Sequence, residues 1–276
     1  MPKTKESDIR PADWETAVID ICLNLQSDRF EHDRFEVLER ARNVGVERIV
    51  LTGSCLQSTQ LAIDWAMKEP DFLCATAGIH PHQANEYSSA ALMVLEQAAQ
   101  TDVVRAIGEC GLDYNRNFSS KEEQQKAFEA QIDLAQRVNL PLFLHQRDAH
   151  SQFLDTLKSA GNLPRTVVHC FTGGRKEVED YLNAGFYIGV TGWICDERRG
   201  EALRDSVQLI PLDRLLIETD APWLTPRDLR PKPHKGRNEP AFLPHIAKAV
   251  AQYHGTDLLT LCRATTENAK RFFRWS

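Results

Sequence analysis

The sequence predicts a (β/α)₈ TIM barrel, the fold in which eight parallel strands alternate with helices. Three observations support this fold class. Short runs of apolar and β-branched residues recur eight times, stretches with helical periodicity separate them, and the pattern fills most of a 276-residue chain. That length matches the usual size of such a barrel, roughly 250 residues. An open, doubly wound sheet also alternates strands and helices and is the second possibility.

The eight apolar runs are the predicted strands. Continuous apolar runs, rather than alternating ones, are typical of strands in a parallel sheet that is covered on both faces. In chain order they read AVIDICLNL, ERIVLTGS, FLCATAGIH, VVRAIGEC, LPLFLHQR, RTVVHCF, FYIGVTGW and RLLIETDAP.

The segments between these runs carry helix signals. DRFEVLERARNVG has helical periodicity and ends on Gly45, a residue type that often terminates helices. SSKEEQQKAFEAQIDLAQRVN begins with Ser119 and Ser120 followed by acids, which suit the first turn of a helix. The longest irregular segment, WLTPRDLRPKPHKGRNEP, is too rich in proline for a helix and directly follows the last strand.

Composition predicts one TIM-barrel domain over residues 1–276, with residues 1–16 as a flexible N-terminal extension. No linker, repeat or low-complexity tract divides the chain, and 42% of its residues are hydrophobic. We find no secretion signal or long apolar segment, and the seven cysteines form no CxxC pair, so we expect reduced thiols in the cytoplasm. We also expect a monomer. A net charge of -6 argues against a basic surface for long duplex DNA.

Polar residues recur at the carboxyl ends of the predicted strands. In a parallel barrel these ends converge at one mouth, where barrel enzymes place their chemistry, so residues far apart in sequence can share one site. The residues at these positions are Asn24, His80, His82, Glu109, Asp113, His145, His169, Thr191 and Asp220.

Four of these residues predict a metal site. A single histidine near a strand end is more often structural, but His145 and His169 occupy consecutive strands, with Glu109 on the strand before and Asp220 on the last. Imidazole and carboxylate groups bind divalent cations, and a strand-end carboxylate otherwise carries a large desolvation cost. Glu218 has the same strand parity as Asp220, which lies nearer the mouth. We therefore predict that Asp220 accepts a proton from metal-bound water and that Glu218 orients a neighbour.

The remaining candidates have simpler alternatives. In GIHPH, Pro81 can fix a turn that leaves His82 exposed, while His80 is predicted to face the pocket and donate to a substrate oxygen. Cys110 has the opposite parity to Glu109 and is predicted to face the outer helices, and Asp113 is predicted to brace the loop or a neighbouring ligand. The other five histidines are predicted surface or packing residues: His32, His150, His234, His245 and His254.

These motifs resemble the TatD family of metal-dependent deoxyribonucleases from Asp20 to the C-terminus. The resemblance implies a barrel hydrolase that cuts phosphodiester bonds with a divalent metal, usually Mg²⁺, with Mn²⁺ as the alternative. The member it most resembles is a 3′ to 5′ exonuclease on single-stranded DNA and RNA, which implies a role in DNA repair or degradation. The motifs are TAGIHPH, AIGECGLDYNRNF, LFLHQRDAH, VVHCFTGG, YIGVTGWICDERRG and LLIETDAPWLTPRDLRPKPHKGRNEPAFLPHI.

Carried over by motif, the resemblance implies residue roles. Glu109 is implied as a metal ligand with catalytic function, and Asp220 as the catalytic acid at the metal. The remaining implied metal ligands are His145 and His169, and the predicted substrate-binding residues are His80, His82, Arg147 and Arg237.

The first strand departs from the family pattern. The wider family has DxHxH there, whereas this chain has DICLNL, so Asp20 matches and Cys22 and Asn24 replace the two histidines. An Asn carbonyl can bind Mg²⁺ and a neutral buried Cys cannot. One or two metals therefore remain possible, with Asn24 assigned a supporting position.

Basic and aromatic residues near the mouth predict contacts with nucleic acid. Trp193 and Trp223 can stack on a base or pack under a loop. The last loop and the DERRG motif supply cations that can neutralise phosphates or form a solvated charged surface: Arg198, Arg199, Arg227, Arg230, Lys232, Lys235 and Arg237.

Three rival functions fit the same residues less well. An amidohydrolase acting on C–N bonds shares the His, His, Asp pattern but usually has the first-strand histidines. An esterase acting on aminoacyl-tRNA is closer to the nuclease prediction. A non-catalytic barrel that binds metal or phosphate would not need this complete set of catalytic residues.

Overall fold

The computed structural model describes residues 16–275 and contains eight parallel strands in one sheet, ordered β1 to β8 as in the sequence. The predicted N-terminal extension lies outside the described residues except for residue 16. The strands are β1 Val18–Leu23, β2 Val46–Leu51, β3 Leu73–Ala77, β4 Val104–Asp113, β5 Leu142–Arg147, β6 Thr166–Val168, β7 Tyr187–Val190 and β8 Leu215–Ile217.

The helices follow the strands around the outside of the sheet. They are α1 Arg34–Asn43, α2 Leu56–Ala66, α3 Ser89–Ala98, α4 Lys121–Val138, α5 His150–Ser159, α6 Arg175–Asn183, α7 Glu201–Val207, α8 Leu243–His254 and α9 Leu258–Phe273. Short 3₁₀ turns add Asp28–Phe30, Pro81–Glu86, Gly192–Cys195, Leu212–Arg214, His234–Gly236 and Pro240–Phe242.

The first and last strands meet and nearly close the sheet into a barrel. A parallel bridge joins Leu23 to Ala221. The Asp220 amide donates to the Cys22 carbonyl at 3.0 Å, and the Asn24 amide donates to the Ala221 carbonyl at 2.8 Å. The predicted TIM barrel is confirmed, and the open doubly wound sheet was the wrong alternative.

Helix α4 begins and ends as its sequence predicts. The Ser120 hydroxyl accepts from the Glu123 amide, and the Glu123 carboxylate accepts from the Ser120 amide at 2.7 Å. This reciprocal cap satisfies amides that the first turn leaves without helical partners. The helix ends at Asn139, whose φ of 52° is left-handed, a conformation that asparagine tolerates better than most residues.

The barrel interior is apolar at its lower end. Every strand contributes to this inner cluster, and Phe272, Phe273 and Trp275 close the bottom. The strand residues in the cluster are Ile19, Ile21, Cys22, Val50, Cys74, Ala106, Phe143, Val167, Tyr187 and Leu216. A second, larger apolar layer between strands and helices contains Cys110, as its parity relative to Glu109 predicts. This packing leaves the carboxyl ends of the strands as the place for polar groups.

Three strand ends differ from the sequence prediction. β4 continues to Asp113, so Glu109 and Asp113 lie within this strand rather than after it. β6 and β8 are short, so His169 and Asp220 lie just beyond them. The seven cysteines are free thiols, and no helix within residues 16–275 is long and apolar enough to cross a membrane.

Candidate active site

Three imidazoles converge on one carboxylate oxygen at the barrel mouth. Oε1 of Glu109 lies 3.1 Å from His80 Nε2, 3.0 Å from His145 Nδ1 and 2.8 Å from His169 Nε2. Burial opposes ionisation of Glu109, but His80 and His169 outweigh it and hold its pKa well below the usual range. Glu109 is therefore an anion although only 6% of its surface is exposed.

Two glycines allow β4 to approach β5 beside this carboxylate. A β-carbon on Gly108 would lie 2.0 Å from the Phe143 carbonyl oxygen, and one on Gly111 would lie 1.9 Å from the His145 carbonyl oxygen. Both residues also have positive φ, at 135° and 141°. Larger residues at these two positions would push the strands apart and displace Glu109.

The Asp113 carboxylate contacts two of the histidines, His82 and His145. Its Oδ2 lies 2.7 Å from His82 Nε2 and 3.3 Å from His145 Nε2, and its Oδ1 accepts from the Asn115 and Arg116 amides at 2.9 Å. Burial opposes ionisation, yet hydrogen bonds from His145 and His82 hold the Asp113 pKa below its usual range. The contacts are those expected of a bracing residue.

His169 is held on both of its nitrogens. Nε2 faces Glu109, and Nδ1 lies 3.3 Å from Oε2 of Glu218, whose other oxygen accepts from the Cys170 amide. The imidazole also stacks on Phe143, with ring centroids 4.5 Å apart. A histidine fixed by a carboxylate on one nitrogen presents the other in a defined direction, as in many metal sites.

Asp220 occupies the opposite side of the mouth with an elevated pKa. Its Oδ1 accepts from Asn24 Nδ2 at 3.1 Å and lies 3.4 Å from Cys22 Sγ. Burial raises the pKa of Asp220 to about 7, with His169 opposing the shift and Glu109 reinforcing it. A carboxyl group that titrates near neutral pH is suited to accept a proton.

His80 is a neutral hydrogen-bond donor at neutral pH. Burial lowers its pKa to about 4, although Glu109 opposes the shift. Its Nδ1 accepts from the His82 amide at 3.0 Å, so the single ring proton lies on Nε2. That proton points toward Glu109, where a substrate oxygen could also receive it.

The donor set fits a divalent cation. Within residues 16–275, the ion pairs made by Glu109, Asp113 and Glu218 are all with histidines, so no Arg or Lys neutralises these acids there. Ligand atoms of His80, Glu109 and His145 lie within 4.8 Å of one another. Nitrogen and oxygen donors around excess negative charge suit Mg²⁺, Mn²⁺ or a similar ion.

A cavity of about 480 Å³ is lined by residues at the carboxyl ends of β5 and β6 and in the segments after β6 and β7. Its lining does not include Glu109, His145, His169 or Asp220. Arg147 lines it, donates to the Thr172 hydroxyl at 2.7 Å and lies 5.1 Å from the centre of the Trp193 ring. Arg199 lies 4.2 Å from the same ring. Trp193 therefore lies beside two guanidinium groups and is also half-buried against the apolar core.

Arg237 does not join the central cluster. Its two terminal nitrogens donate to Asp33 at 2.7 and 2.6 Å, and one also donates to the Arg29 carbonyl oxygen. Arg227, another predicted phosphate contact, pairs with Glu197 at 3.1 Å. The predicted basic surface is thus partly neutralised by Asp33 and Glu197, which are far from these arginines in sequence.

Sequence reasoning missed two buried amides that brace the site. Gln124 accepts from the Asp113 amide at 2.8 Å and donates to the Asp113 carbonyl. Asn238 donates to the carbonyl oxygens of Thr219 and Trp223, which fixes the loop on either side of Asp220. The only available signal for Gln124 was a polar residue on the apolar face of helix α4.

Comparison with known proteins places the chain in a family. Residues 19–274 match the family model described as TatD related DNase. Proteins named 3′-5′ ssDNA/RNA exonuclease TatD from Pectobacterium carotovorum and Erwinia tasmaniensis are 51% and 50% identical, over 93% of this chain and 99% of each relative. A TatD homologue from Escherichia coli K12 has a solved structure that is 29% identical with a TM-score of 0.86, covering 94% of this chain and 98% of its own. The chain therefore belongs to the family of TatD-related DNases.

Proposed function

We propose that this chain is a metal-dependent 3′ to 5′ exonuclease that hydrolyses single-stranded DNA and RNA. The observation that carries the proposal is the convergence of three histidines on Glu109, across the barrel mouth from Asp220. The names of the relatives that are 50–51% identical supply the substrate and the direction.

The proposed metal ligands are Glu109, His145 and His169, with Asp220 at the edge of the site. A bound Mg²⁺, or Mn²⁺ as the alternative, would polarise a phosphate oxygen and lower the pKa of a water. The side chains of Asp220 and His80 carry out the remaining steps.

Asp220 accepts the proton of the attacking water. Its Oδ1 is held by Asn24 at 3.1 Å, which leaves the other oxygen for the water. As the water oxygen bonds to phosphorus, the bond from phosphorus to the leaving oxygen breaks on the opposite side. His80 holds a phosphate oxygen through a hydrogen bond from its Nε2–H, the leaving oxygen takes its proton from solvent, and no covalent intermediate is needed.

The cavity beside the cluster would hold the nucleotide at the end of the strand. Its volume, about 480 Å³, is sufficient for a small ligand, and Arg147 and Arg199 supply positive charge beside Trp193. His82, 26% exposed at its side chain, lies at the rim, where it can reach a neighbouring phosphate. Four further properties remain predictions: the monomeric state, the cytoplasmic location, the role in DNA repair or degradation, and the single domain over residues 1–276.

End-labelled oligonucleotides test this proposal. Wild-type protein with Mg²⁺ or Mn²⁺ should release a 3′ label at once as a mononucleotide, while a 5′-labelled strand should shorten stepwise. Asp220→Asn should lose this activity, and the exposed Asp102→Asn should keep it. Absence of cleavage by the wild type, early release of the 5′ label, or full activity in Asp220→Asn would each refute the proposal.

A further inference from the structure

A second group of potential metal ligands lies outside the cluster at the barrel mouth. Ligand atoms of Cys195, Asp228 and His245 lie within 4.8 Å of one another. Nε2 of His245 is 2.8 Å from Oδ1 of Asp228. The three residues come from separate parts of the chain, namely the 3₁₀ turn after β7, the long loop after β8, and the first turn of α8.

The chemistry of this group is that of a zinc site. A thiol, a carboxylate and an imidazole together form a donor set that prefers zinc and similar ions over Mg²⁺, because the sulfur is a soft ligand. We propose that Cys195, Asp228 and His245 bind one zinc-class cation, with water as the fourth ligand. This site is distinct from the one at Glu109, and the inference stands whether or not the proposed nuclease activity is correct.

The geometry requires only small movements. Bonds of about 2.0–2.3 Å place tetrahedral ligand atoms roughly 3.5 Å apart. His245 Nε2 and Asp228 Oδ1, now 2.8 Å apart, must therefore separate slightly, while the sulfur of Cys195 already lies within 4.8 Å of both. The side chains of Asp228 and His245 are 54% and 32% exposed and can make that movement. Cys195 is 7% exposed and sits at the end of a 3₁₀ turn, so it supplies the fixed position.

Binding would release a proton. The Cys195 thiol is protonated beside Asp228 and must give its proton to solvent when sulfur bonds to the metal, while neutral His245 binds through a lone pair. The existing hydrogen bond between His245 and Asp228 would be exchanged for bonds to the ion. Affinity should therefore increase with pH.

Such an ion would tie the proline-rich loop to the segment after β7. The same two segments already meet through Arg227, which pairs with Glu197 at 3.1 Å and lies 3.8 Å from Asp196. The loop carries Arg227 and Arg230 near the mouth, so metal binding at this group would order a part of the chain that flanks the proposed substrate path.

Cobalt substitution tests the site directly. The full chain is stripped of metal with a chelator and titrated with Co²⁺, and the near-ultraviolet charge-transfer band of cobalt bonded to sulfur is recorded. We expect a band that reaches saturation, disappears in Cys195→Ser and persists in Cys22→Ala. Cys22 is the matched control because its thiol also lies near a histidine and a carboxylate, His169 and Glu218.

The same experiment can overturn the inference. A wild-type protein without the band, a band that survives in Cys195→Ser, or one that vanishes in Cys22→Ala would show that this group does not bind the ion through Cys195. The trio would then be only a hydrogen-bonded contact between thiol, carboxylate and imidazole.

A second variant covers the case in which Cys195→Ser does not fold. His245→Gln, at a partly exposed position, should weaken Zn²⁺ binding by at least about tenfold in competition with a colorimetric chelator. The exposed His32→Gln should leave it unchanged. Zn²⁺ should also slow tryptic cleavage after Arg227 in wild type but not in His245→Gln. Equal Zn²⁺ affinity in His245→Gln and wild type would refute the inference.

Discussion

Nε2 of His169 lies 2.8 Å from Oε1 of Glu109, although the two residues are 60 positions apart in the chain. The parallel barrel produces this contact because all of its strands deliver their carboxyl ends to one mouth. Both side chains are nearly inaccessible to solvent, so their arrangement is set by the strands rather than by a mobile loop.

Glu109→Gln should abolish hydrolysis while leaving the barrel folded. The amide keeps the shape of the side chain but removes the negative charge that faces His80, His145 and His169. Loss of a charged metal ligand is expected to lower the rate by roughly 10³-fold, since metal catalysis contributes several kcal/mol. Single-turnover rates and Mn²⁺ binding by calorimetry would measure it. Unchanged Mn²⁺ affinity would remove Glu109 from the ligand set.

Glu218→Gln should weaken metal binding about 10–100-fold, because the Glu218 carboxylate orients the His169 ring through Nδ1. The measurement is Mn²⁺ affinity by calorimetry, with Glu96→Gln as the control. Glu96 pairs with Arg137 at 3.4 Å on the surface and should have no effect. Equal affinities in the two variants would show that His169 does not need this support.

Arg147→Ala should raise KM for single strands about tenfold with little change in kcat. Its guanidinium lines the cavity beside Trp193, where it can neutralise a phosphate away from the bond being cut. The slope of log affinity against log salt should fall by about one. Arg137→Ala, at a surface ion pair, is the control. A lower kcat at unchanged KM would instead place Arg147 at the reacting phosphate.

Arg237→Ala should destabilise the fold by about 1–2 kcal/mol, because it breaks a two-pronged pair with Asp33 that is mostly shielded from solvent. Urea unfolding of Arg237→Ala, of Asp33→Ala and of the double variant would give the coupling energy between the two side chains. The salt dependence of substrate binding should not change. A slope reduced by about one would instead support the substrate contact that the sequence predicts for Arg237.

Asp20 should make stability decrease as pH rises through neutrality. Burial raises its pKa to about 7, although Thr219 and Cys22 donate hydrogen bonds to it. The folded state therefore binds a proton between pH 4 and pH 7 that the unfolded state has lost, so the free energy of unfolding falls across that range. Asp20→Asn mimics the protonated form and should equal wild type near pH 3, below the pKa of Asp20 in the unfolded chain.

At pH 8 the same variant should be more stable than wild type, by an amount on the order of 1–4 kcal/mol. Urea unfolding at the two pH values measures the difference. The surface variant Asp213→Asn, whose partner Arg214 is its neighbour in sequence, should show none. A pH-independent difference between Asp20→Asn and wild type would rule out the titration of Asp20.

The barrel and the polar residues at its mouth were predictable, because the barrel follows from the spacing of apolar runs and the polar residues follow from their places at strand ends. Apolar runs at regular spacing predict strands, and polar residues at their ends predict a shared mouth. Strict alternation fails within β4, however, where the register with β5 shifts between Ile107 and Cys110. Ala106 points into the barrel and Cys110 points out, although simple alternation would give them the same side.

Pairings between distant surface charges were not predictable. The run of cations around Arg237 looks like a phosphate-binding loop until the fold brings Asp33 to it. The roles of Gln124 and Asn238 were hidden for the same reason, since a side-chain amide gives no sign in sequence of which backbone groups it will satisfy. Such contacts depend on how loops close over the barrel, which no local pattern encodes.

The backbone at Asp220 has a consequence for how such a barrel can change. Its φ is 53°, a left-handed conformation that costs most residues roughly 1–2 kcal/mol, and its carboxyl group is buried as well. Glycine would relieve both costs at once. Selection for thermal stability alone would therefore favour replacing Asp220 by glycine. The aspartate at this position indicates selection for something other than folding stability.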